Sequence, residues 1–183
     1  MIQLDEPAEV DETYKNAGRK GKKTIKKPRK RGRKGRGRGT YSTDRPPIFT
    51  VYGRTTGSIV YRAHRKATKN TSRIVVRRHV KTGNVVYTDS YDIYGWLDRS
   101  RSYRHEAVNH SVGEYVRGDV HINGAEYANQ RLKEFLLGKR GVSKSCLDGY
   151  CGAATFWVSR CVWSPREAFL DIIDSIFVQS RSA

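Results

Sequence analysis

The clearest pattern of hydrophobic and polar positions lies within residues 119–133. Four polar residues there follow one another at steps of three or four positions: Asn123, Glu126, Gln130 and Lys133. That spacing places them on one face of an α-helix. A second, roughly opposite stripe is apolar and suits burial; it consists of Ala125, Ala128, Leu132, Phe135 and Leu136. The pattern predicts a helix with one buried side, whose other side is either an ordinary solvated surface or a working face.

The same reading predicts strands upstream of this helix. Residues 8–12 alternate between apolar and acidic side chains, as a half-buried strand does. Residues 48–63 contain two β-rich runs around a Thr-Thr-Gly turn, which predicts a β-hairpin. Residues 85–87, Val-Val-Tyr, are typical of a buried parallel strand. Residues 103–117 predict a further strand followed by a turn.

Further helices are predicted on both sides of these strands. Residues 70–82 form one, with its N-cap at Asn70 or Thr71. Its buried stripe is expected to consist of Ile74, Val75 and His79.

Downstream, helices are expected over residues 143–162 and from Pro165, which suits a first helical turn, to about residue 179. The whole chain, residues 1–183, is predicted to form a single α/β domain.

Charge changes this picture because it is concentrated in one segment. The 183 residues carry a net charge of +18, and 13 of the 20 residues from 19 to 38 are Lys or Arg, which leaves about +5 for the rest. A glycine-rich basic run repels itself and has no apolar support, so residues 15–47 are expected to be a disordered loop. Its natural partner is a nucleic acid, and a solvated tail without a role is the alternative. The residues expected to bind DNA here are Arg29, Lys30, Arg31, Arg33, Lys34, Arg36 and Arg38.

Cysteine content and hydropathy indicate the cellular compartment. The sequence has three cysteines, an odd number, and no two of them have CxxC spacing: Cys146, Cys151 and Cys161. This disfavours a disulfide framework and a zinc ribbon. The three cysteines are expected to be small core residues in a reducing cytosol. The sequence has no run of 18 apolar residues, and it does not open with the basic region and apolar region of a signal peptide. A cytoplasmic protein is therefore expected rather than a membrane or secreted one.

Three acids stand on three separate predicted elements. Asp11 lies on the first strand, Asp89 follows the apolar run of a later strand, and Glu126 lies on the polar helix face. Converging carboxylates repel one another unless a cation lies between them, and Mg²⁺ prefers oxygen ligands. Two such ions commonly catalyse in-line attack on a phosphodiester, because they stabilise the attacking and the leaving oxygen. Lys133 would then be placed to hold a DNA phosphate. A surface position for Asp11 and a turn-capping role for Asp89 are open alternatives.

Three sequence segments resemble a known group of enzymes: VDETY at 10–14, VYTDSYDIYGWL at 86–97 and HEAVNHSVGEYVRGDVHINGAEYANQRLK at 105–133. They are similar to the DDE-type transposases of bacterial and archaeal insertion sequences, in particular to the ISXO-type group related to the eukaryotic Merlin elements. In that family about 36 residues separate the second Asp from the Glu, and 36 residues lie between Asp89 and Glu126 here.

Smaller features of the same family are also present. The HxNxxE core is matched by His121, Asn123 and Glu126, and the family's lysine follows seven residues later as Lys133. The segment GKRGVSK at residues 138–144 resembles the family's RGxSK segment, so that the resemblance covers about residues 8–150.

The resemblance implies an RNase H-like fold, a mixed sheet flanked by helices, here with a long basic insert after the first strand. It implies that Asp11, Asp89 and Glu126 form the catalytic triad and bind two Mg²⁺ (or Mn²⁺) ions. The implied reaction is nicking of DNA at element ends, followed by attack of the freed 3′-hydroxyl on target DNA. The implied partners are transposon-end and target DNA, and further copies of the chain in a dimer or larger assembly, in the nucleoid-containing cytoplasm of a prokaryote.

Three further residues receive less specific expectations. Asn123 is expected to assist metal binding or to orient Glu126. His121 and Lys133 are expected near DNA phosphates, although ordinary helix-start and surface roles are open for both.

Two departures from the family leave a second function open. Relatives carry an N-terminal zinc-ribbon and helical region that recognises element ends, and this chain starts close to its first predicted strand. We therefore expect a truncated copy, the product of an interrupted gene, or a catalytic subunit that needs an end-recognition partner. The basic insert is the other departure. The alternative to a transposase is an inactive remnant that binds nucleic acid through this insert without regard to sequence.

Overall fold

The computed structural model describes residues 3–20, 37–108, 116 and 118–159. Within these ranges the strands are β1 (Ala8–Tyr14), β2 (Pro47–Gly53), β3 (Ile59–Ala63), β4 (Val85–Asp89) and β5 (Arg104–Val108). The helices are α1 (Lys69–His79), α2 (Asn123–Leu137) and α3 (Leu147–Ser159), and a single 3-10 turn spans Asp92–Tyr94.

The strands form one mixed sheet in the order β3-β2-β1-β4-β5. β1, β2 and β3 pair antiparallel, whereas β4 runs parallel to β1 and β5 parallel to β4. The predicted hairpin and the predicted buried parallel strand are both confirmed. β1 lies at the centre of the sheet, where it joins the antiparallel half to the parallel half.

Alternation along β1 divides the core into two layers. Ala8 and Val10 pack in the cluster that contains Val75 and Val76 of α1. Glu9 and Asp11 point to the opposite face and bond to residues of α2. Apolar residues of α2 and α3 cover that second face together with side chains of β2 and β3. This mixed sheet between helices is the RNase H-like architecture that the resemblance implied, so that expectation is confirmed.

Helix α3 protects the edge of the sheet at β3. The backbone N–H of Tyr61 donates to the Thr155 hydroxyl at 3.2 Å, and that of Ala63 donates to the Asp148 carboxylate at 3.0 Å. These bonds satisfy edge donors that would otherwise invite pairing with another chain.

The first helix differs from its prediction at its start and in one residue of its buried face, whereas Val75 and His79 are buried as predicted. Its N-cap is Thr68, whose hydroxyl accepts from the N–H of Thr71 at 3.2 Å, so the N-cap at Asn70 or Thr71 was wrong. Ile74 is 47% exposed, whereas Ser72 is buried. The reason is a polar contact in the core, since the Ser72 hydroxyl donates to the carbonyl of Ile93 at 2.6 Å.

The second half of the chain shows smaller differences. The helix expected from residue 143 begins at Leu147, because Ser143 forms a β-bridge with Gly18 instead. Cys151 is buried as predicted, but Cys146 is exposed in the turn before α3, so its assignment to the core was wrong.

Several predictions lie outside the described residues. They are the helix from residue 165 to 179, the end of the helix expected to reach residue 162, Cys161, the turn after β5, and the middle, residues 21–36, of the disordered loop expected over residues 15–47. The described ends of that range were wrongly predicted to be disordered, because Gly18 forms a β-bridge with Ser143 and Pro47 begins β2. In the part of the chain that is described, no helix combines the length and apolar character needed to cross a membrane.

Candidate active site

Asp11 lies in the middle of β1, and Asp89 is the last residue of β4, the parallel strand beside it. The register of β1 and β4 aligns Glu9 with Tyr87, and each acid stands two residues further along its own strand. Because side chains alternate along a strand, Asp11 and Asp89 lie on the same face as that aligned pair, and neighbouring strands are about 4.8 Å apart. The two carboxylates therefore share one edge and one face of the sheet.

The electrostatics of Asp11 connect all the acids expected in the triad. The pKa of Asp11 is raised to about 7, first by burial and then by the carboxylates of Asp89 and Glu126. The backbone N–H of Glu12 and the ammonium of Lys133 act in the opposite direction. An influence of this kind requires these charged groups to lie near Asp11. The structure thus brings Asp11, Asp89, Glu126 and Lys133 into one electrostatic neighbourhood.

Helix α2 carries the polar face that its periodicity predicts. Asn123, Glu126 and Lys133 are exposed, and Gln130 is exposed and donates to Glu134 at 3.2 Å. On the opposite stripe Ala125, Ala128, Leu132 and Leu136 are buried, and Phe135 is partly buried. The predicted division of this helix into a buried and an exposed side is confirmed.

A buried glutamate that sequence reasoning missed attaches α2 to the central strand. Glu9 is 1% exposed, and its carboxylate accepts from the backbone N–H of Ala125 at 2.8 Å. The N-cap position of α2, Ile122, makes no side-chain cap bond, so Glu9 supplies from β1 an acceptor for the free N–H groups of the first turn. The negative charge also suits the positive end of the helix dipole.

Arg54 and His121 complete this attachment. The Arg54 guanidinium donates to Glu9 at 2.8 Å and to the carbonyls of Asp119 and His121 at 2.7 Å each. The His121 ring nitrogen Nδ1 lies 3.3 Å from the Glu9 carboxylate. The contacts of His121 thus correspond to the helix-start role left open for it. Its expected position near a DNA phosphate remains a prediction.

Asn129 is the second residue that sequence reasoning missed. Its amide Nδ2 donates to Asp11 Oδ2 at 2.7 Å, and its Oδ1 accepts from the Thr50 hydroxyl at 2.6 Å. Asn129 is 4% exposed, so these two bonds satisfy a buried amide. The available signal was a polar residue within the apolar stripe, between Ala128 and Leu132, because such a residue is buried only with a partner.

The two bonds from β1 show how α2 lies on the sheet. Glu9 bonds to Ala125 and Asp11 bonds to Asn129. Two residues along a strand and four along a helix both span about 6 Å, so α2 runs alongside β1 in the same direction. A Cβ at Gly124 would run into the ring of Tyr52, so glycine at this position allows the close approach. Glu126, which follows Ala125 on this helix, is near enough for its charge to raise the pKa of Asp11.

Asp89 and Glu12 have additional partners on the adjoining loop. Asp89 Oδ1 accepts from the backbone N–H of Tyr91 at 3.1 Å, so the turn-capping role left open for Asp89 is observed, alongside its position near Asp11. Glu12 points to the other face, where its carboxylate accepts from the Tyr94 hydroxyl at 3.0 Å. Burial, followed by the charges of Asp11 and Asp89, raises the pKa of Glu12 to about 8.

The segment that resembles RGxSK holds the two ends of the basic loop. The N–H of Lys144 donates to the carbonyl of Gly18 at 2.9 Å. The Lys144 ammonium donates to the Tyr41 carbonyl at 2.8 Å and pairs with Asp44 at 2.6 Å. Residues on both sides of the basic stretch 21–36 therefore converge on this lysine. Of the DNA-binding residues predicted in the loop, only Arg38 lies within the described ranges, where it is exposed.

The donor chemistry of the site suits a hard divalent cation. Asp11, Asp89 and Glu126 offer carboxylate oxygens, the ligands that Mg²⁺ prefers, and their mutual repulsion would be relieved by a cation. Among the described residues, however, no three His, Cys, Asp or Glu side chains are gathered closely enough to form a ready-made metal site.

Comparison with known proteins places the chain in a family. The family model described as the ISXO2-like transposase domain matches residues 3–157. The chain belongs to this transposase family. It is also 38% identical over 150 residues to a protein described as an uncharacterized protein in transposable element ISH50 of Halobacterium salinarum strain NRC-1. That alignment covers 82% of this chain and 51% of the relative, so the chain spans about half the length of the curated relative that it matches.

Two solved structures show a looser likeness. One is the simian T-cell lymphotropic virus intasome in complex with PP2A regulatory subunit B56 gamma, at 12% identity and a TM-score of 0.49, covering 85% of this chain and 49% of that chain. The other is the HTLV-2 integrase catalytic core domain in complex with magnesium, at 11% identity and a TM-score of 0.47, covering 85% of this chain and 86% of that chain. At these TM-scores nothing about the chemistry of this chain follows from either structure.

Proposed function

We propose that residues 1–183 form the catalytic domain of a DDE transposase, which cuts and joins DNA phosphodiesters with the help of divalent metal ions. The observation that carries this proposal is geometric: the register of β1 and β4 puts Asp11 and Asp89 on one face of the sheet, and the bond from Asn129 to Asp11 holds α2, which carries Glu126, against β1. Membership of the ISXO2-like transposase family supports it. The proposed partners are transposon-end and target DNA, bound by two or more copies of the chain, with end recognition supplied by a separate subunit where the chain itself does not provide it.

In this proposal Asp11, Asp89 and Glu126 hold two Mg²⁺ or Mn²⁺ ions. When bound, such ions activate an attacking hydroxyl and stabilise the leaving oxygen of a phosphodiester. The chain itself supplies the geometry. Asn129 fixes one oxygen of Asp11, and the bond from Ala125 to Glu9 fixes the turn that precedes Glu126.

Two other groups on the exposed face of α2 would act on the substrate. Lys133 is exposed and close enough to influence Asp11, so we assign it to a DNA phosphate beside the scissile bond. Asn123, one turn before Glu126, would orient that glutamate or assist its cation.

Asp11 links this chemistry to pH. Because its pKa is about 7, the carboxyl holds a proton in more acidic solution and must release it before it binds a cation. Cation binding is therefore expected to release protons and to weaken as the pH falls below 7.

The alternative function also has an observation in its favour. The net charge of +18 suits nucleic acid without any catalysis. In this alternative the chain is an inactive remnant that binds DNA through its basic segment.

Nicking of supercoiled plasmid in Mn²⁺ distinguishes the two functions. We expect the wild-type chain to nick, and Asp89→Asn and Glu126→Gln each to lower the rate at least about 100-fold, since even changes to residues that only support metal ligands cost 10- to 100-fold. The matched control is Glu134→Gln, the same substitution on the same helix at an exposed glutamate that pairs with Arg131. It should nick at nearly the wild-type rate. If wild type and all variants bind the plasmid but none nicks it, the remnant function replaces the transposase proposal.

A further inference from the structure

A basic cavity of about 560 Å³ opens beside the candidate active site. Arg38, Arg45 and Lys66 contribute its positive charge, and Tyr14 and Tyr91 contribute aromatic rings to its wall. None of the described residues that line it is acidic. Three cations around one concave surface generate a positive potential that favours an anion.

Two of the cations are held in fixed positions. The Arg45 Nε donates to the carbonyl of Gly37 at 2.6 Å. The Arg38 guanidinium lies 3.5 Å from the ring centroid of Tyr91, a cation–π contact. A guanidinium stacked in this way keeps the N–H groups at its edge available, and these match the oxygens of a phosphate. Arg38 also interacts electrostatically with Glu12, whose carboxylate accepts a hydrogen bond from the Tyr94 hydroxyl.

The cavity lies at the same edge of the sheet as the candidate catalytic acids. Tyr14 ends β1 three residues after Asp11, and the N–H of Tyr91 bonds directly to Asp89. Thr68, the N-cap of α1, is also part of the wall, and the positive end of that helix adds to the potential of the three cations. The acids lie on the α2 face of this edge and the cavity on its α1 face, and Tyr91 adjoins both. A DNA strand that holds one phosphodiester at the acids and continues around this edge would therefore bring a further phosphate to this cavity.

We infer that the cavity is a subsite for a phosphodiester of the DNA strand, a short distance along the strand from the bond to be cut. Arg38, Arg45 and Lys66 are the residues that bind this phosphate, and Tyr91 positions Arg38. The inference rests on the proposed function in that DNA is the partner. It does not depend on catalysis, because phosphate binding here needs no metal ion.

The test is a titration of the ¹⁵N-labelled chain, followed by amide chemical shifts in EDTA. The probe is a thymidine hexanucleotide, compared with the same hexamer carrying uncharged methylphosphonate linkages and with inorganic phosphate. We expect the hexamer to shift the amides of Gly39, Thr40 and Ala67 in a saturable manner. The neutral hexamer should leave these amides unchanged, and inorganic phosphate should act on them only at much higher concentration, because a strand also contacts the surface beyond the cavity.

Substitution at the cavity supplies the second part of the test. Lys66→Gln should raise the hexamer concentration at half-saturation of these amide shifts at least about threefold, since it removes one cation that neutralises a phosphate. The charge-matched control is Arg104→Gln, which also removes one exposed cation. Arg104 begins β5, so it lies at the end of the parallel strands that is opposite to Asp89. It should change the affinity less than twofold.

Several outcomes would overturn the inference. They are equal shifts with the neutral hexamer, saturation by inorganic phosphate at the same concentration as the hexamer, equal effects of Lys66→Gln and Arg104→Gln, or the absence of shifts at the cavity. The plasmid assay is separate from these results. If nicking occurs without shifts at the cavity, only the subsite is lost; if the shifts occur without nicking, the subsite stands and the catalytic proposal fails.

Discussion

Asn129 occupies a place that only a side chain with both a donor and an acceptor can fill. It accepts from Thr50 and donates to Asp11 in a buried position. A leucine there would leave both partners unsatisfied, at a cost of about 1–3 kcal/mol for each buried group. An aspartate would accept from Thr50 but would place a second negative charge against Asp11. The orientation of Asp11 therefore depends on an amide that comes from a different element.

The raised pKa values of Asp11 and Glu12 determine how stability depends on pH. In the folded chain these values are about 7 and about 8, against ordinary values of 3.8 and 4.5. Between the ordinary and the raised values the folded state holds protons that the unfolded chain has released. The free energy of unfolding of the metal-free chain is therefore expected to decrease as the pH rises from about 4 to about 8.

The substitution Asn129→Asp should make this dependence steeper. At pH 8 we expect it to lower the free energy of unfolding by about 3 kcal/mol, because two carboxylates then face each other in a buried place. At pH 5 the loss should be smaller, because a protonated carboxyl of the pair donates a hydrogen bond to the other. Urea unfolding at both pH values measures the difference.

The control for this substitution is Asn70→Asp, at an exposed position in the first turn of α1, which should be nearly neutral at both pH values. An equal loss of stability at pH 5 and pH 8 for Asn129→Asp would show that charge repulsion with Asp11 is not the cause.

At the scale of elements, two ion pairs of equal length differ in what surrounds them. The side chains of Lys144 and Asp44 are 11% and 25% exposed, and their charged atoms are 2.6 Å apart. Those of Lys81 and Asp5 are also 2.6 Å apart, but 56% and 65% exposed. Exposed pairs contribute about 0–1 kcal/mol, whereas removal of one partner from a buried pair costs more. Lys144 is thus expected to anchor the ends of the basic loop to the turn before α3.

Replacement of each lysine by methionine tests this difference. Lys144→Met should accelerate amide hydrogen exchange at Ala17, whose N–H donates to the carbonyl of Asp44 at 2.9 Å, by at least about tenfold, the equivalent of roughly 1.4 kcal/mol. Lys81→Met should leave that exchange unchanged. Addition of Asp44→Asn to Lys144→Met should restore part of the protection, because it removes the carboxylate left without its partner. Similar exchange in both methionine variants would argue against an anchoring role.

The elements also show why some features could be predicted from the sequence and others could not. The two stripes of α2 and the hairpin were predictable because their periodicities are local. The cap that Glu9 provides was not, since it depends on α2 lying beside β1 in the folded chain. On α1 only Ile74 was wrongly assigned to the buried face, because a hydrogen bond to Ile93 makes Ser72 a core residue while Ile74 lies outside. The three acids of the candidate site were predicted from their places on separate elements and from the family resemblance, whereas the bonds of Glu9 and Asn129 between β1 and α2 became visible only in the structure.

At the scale of the whole molecule, the positive charge is divided between one segment of unusual composition and the rest of the chain. Residues 21–36 alone carry 10 Lys or Arg residues and no acid. The described part of the chain contributes a different kind of site, in which a few cations line one cavity. If DNA is the partner, the segment would supply affinity that depends on salt and not on sequence, because phosphate contacts carry no sequence information. The fixed residues would set the position of the strand.

Replacement of the ten Lys and Arg residues of this segment by serine, with its length kept, tests that division. We expect weaker binding to two duplexes of unrelated sequence by the same factor. The slope of log affinity against log salt concentration should become shallower by about 0.9 for each phosphate that the variant no longer neutralises. A variant with the same 16 residues in shuffled order is the control, and it should bind like the wild type because its charge is unchanged. Weak binding by the shuffled variant, or a decrease confined to one duplex, would mean that the segment reads sequence and that affinity and positioning are not divided in this way.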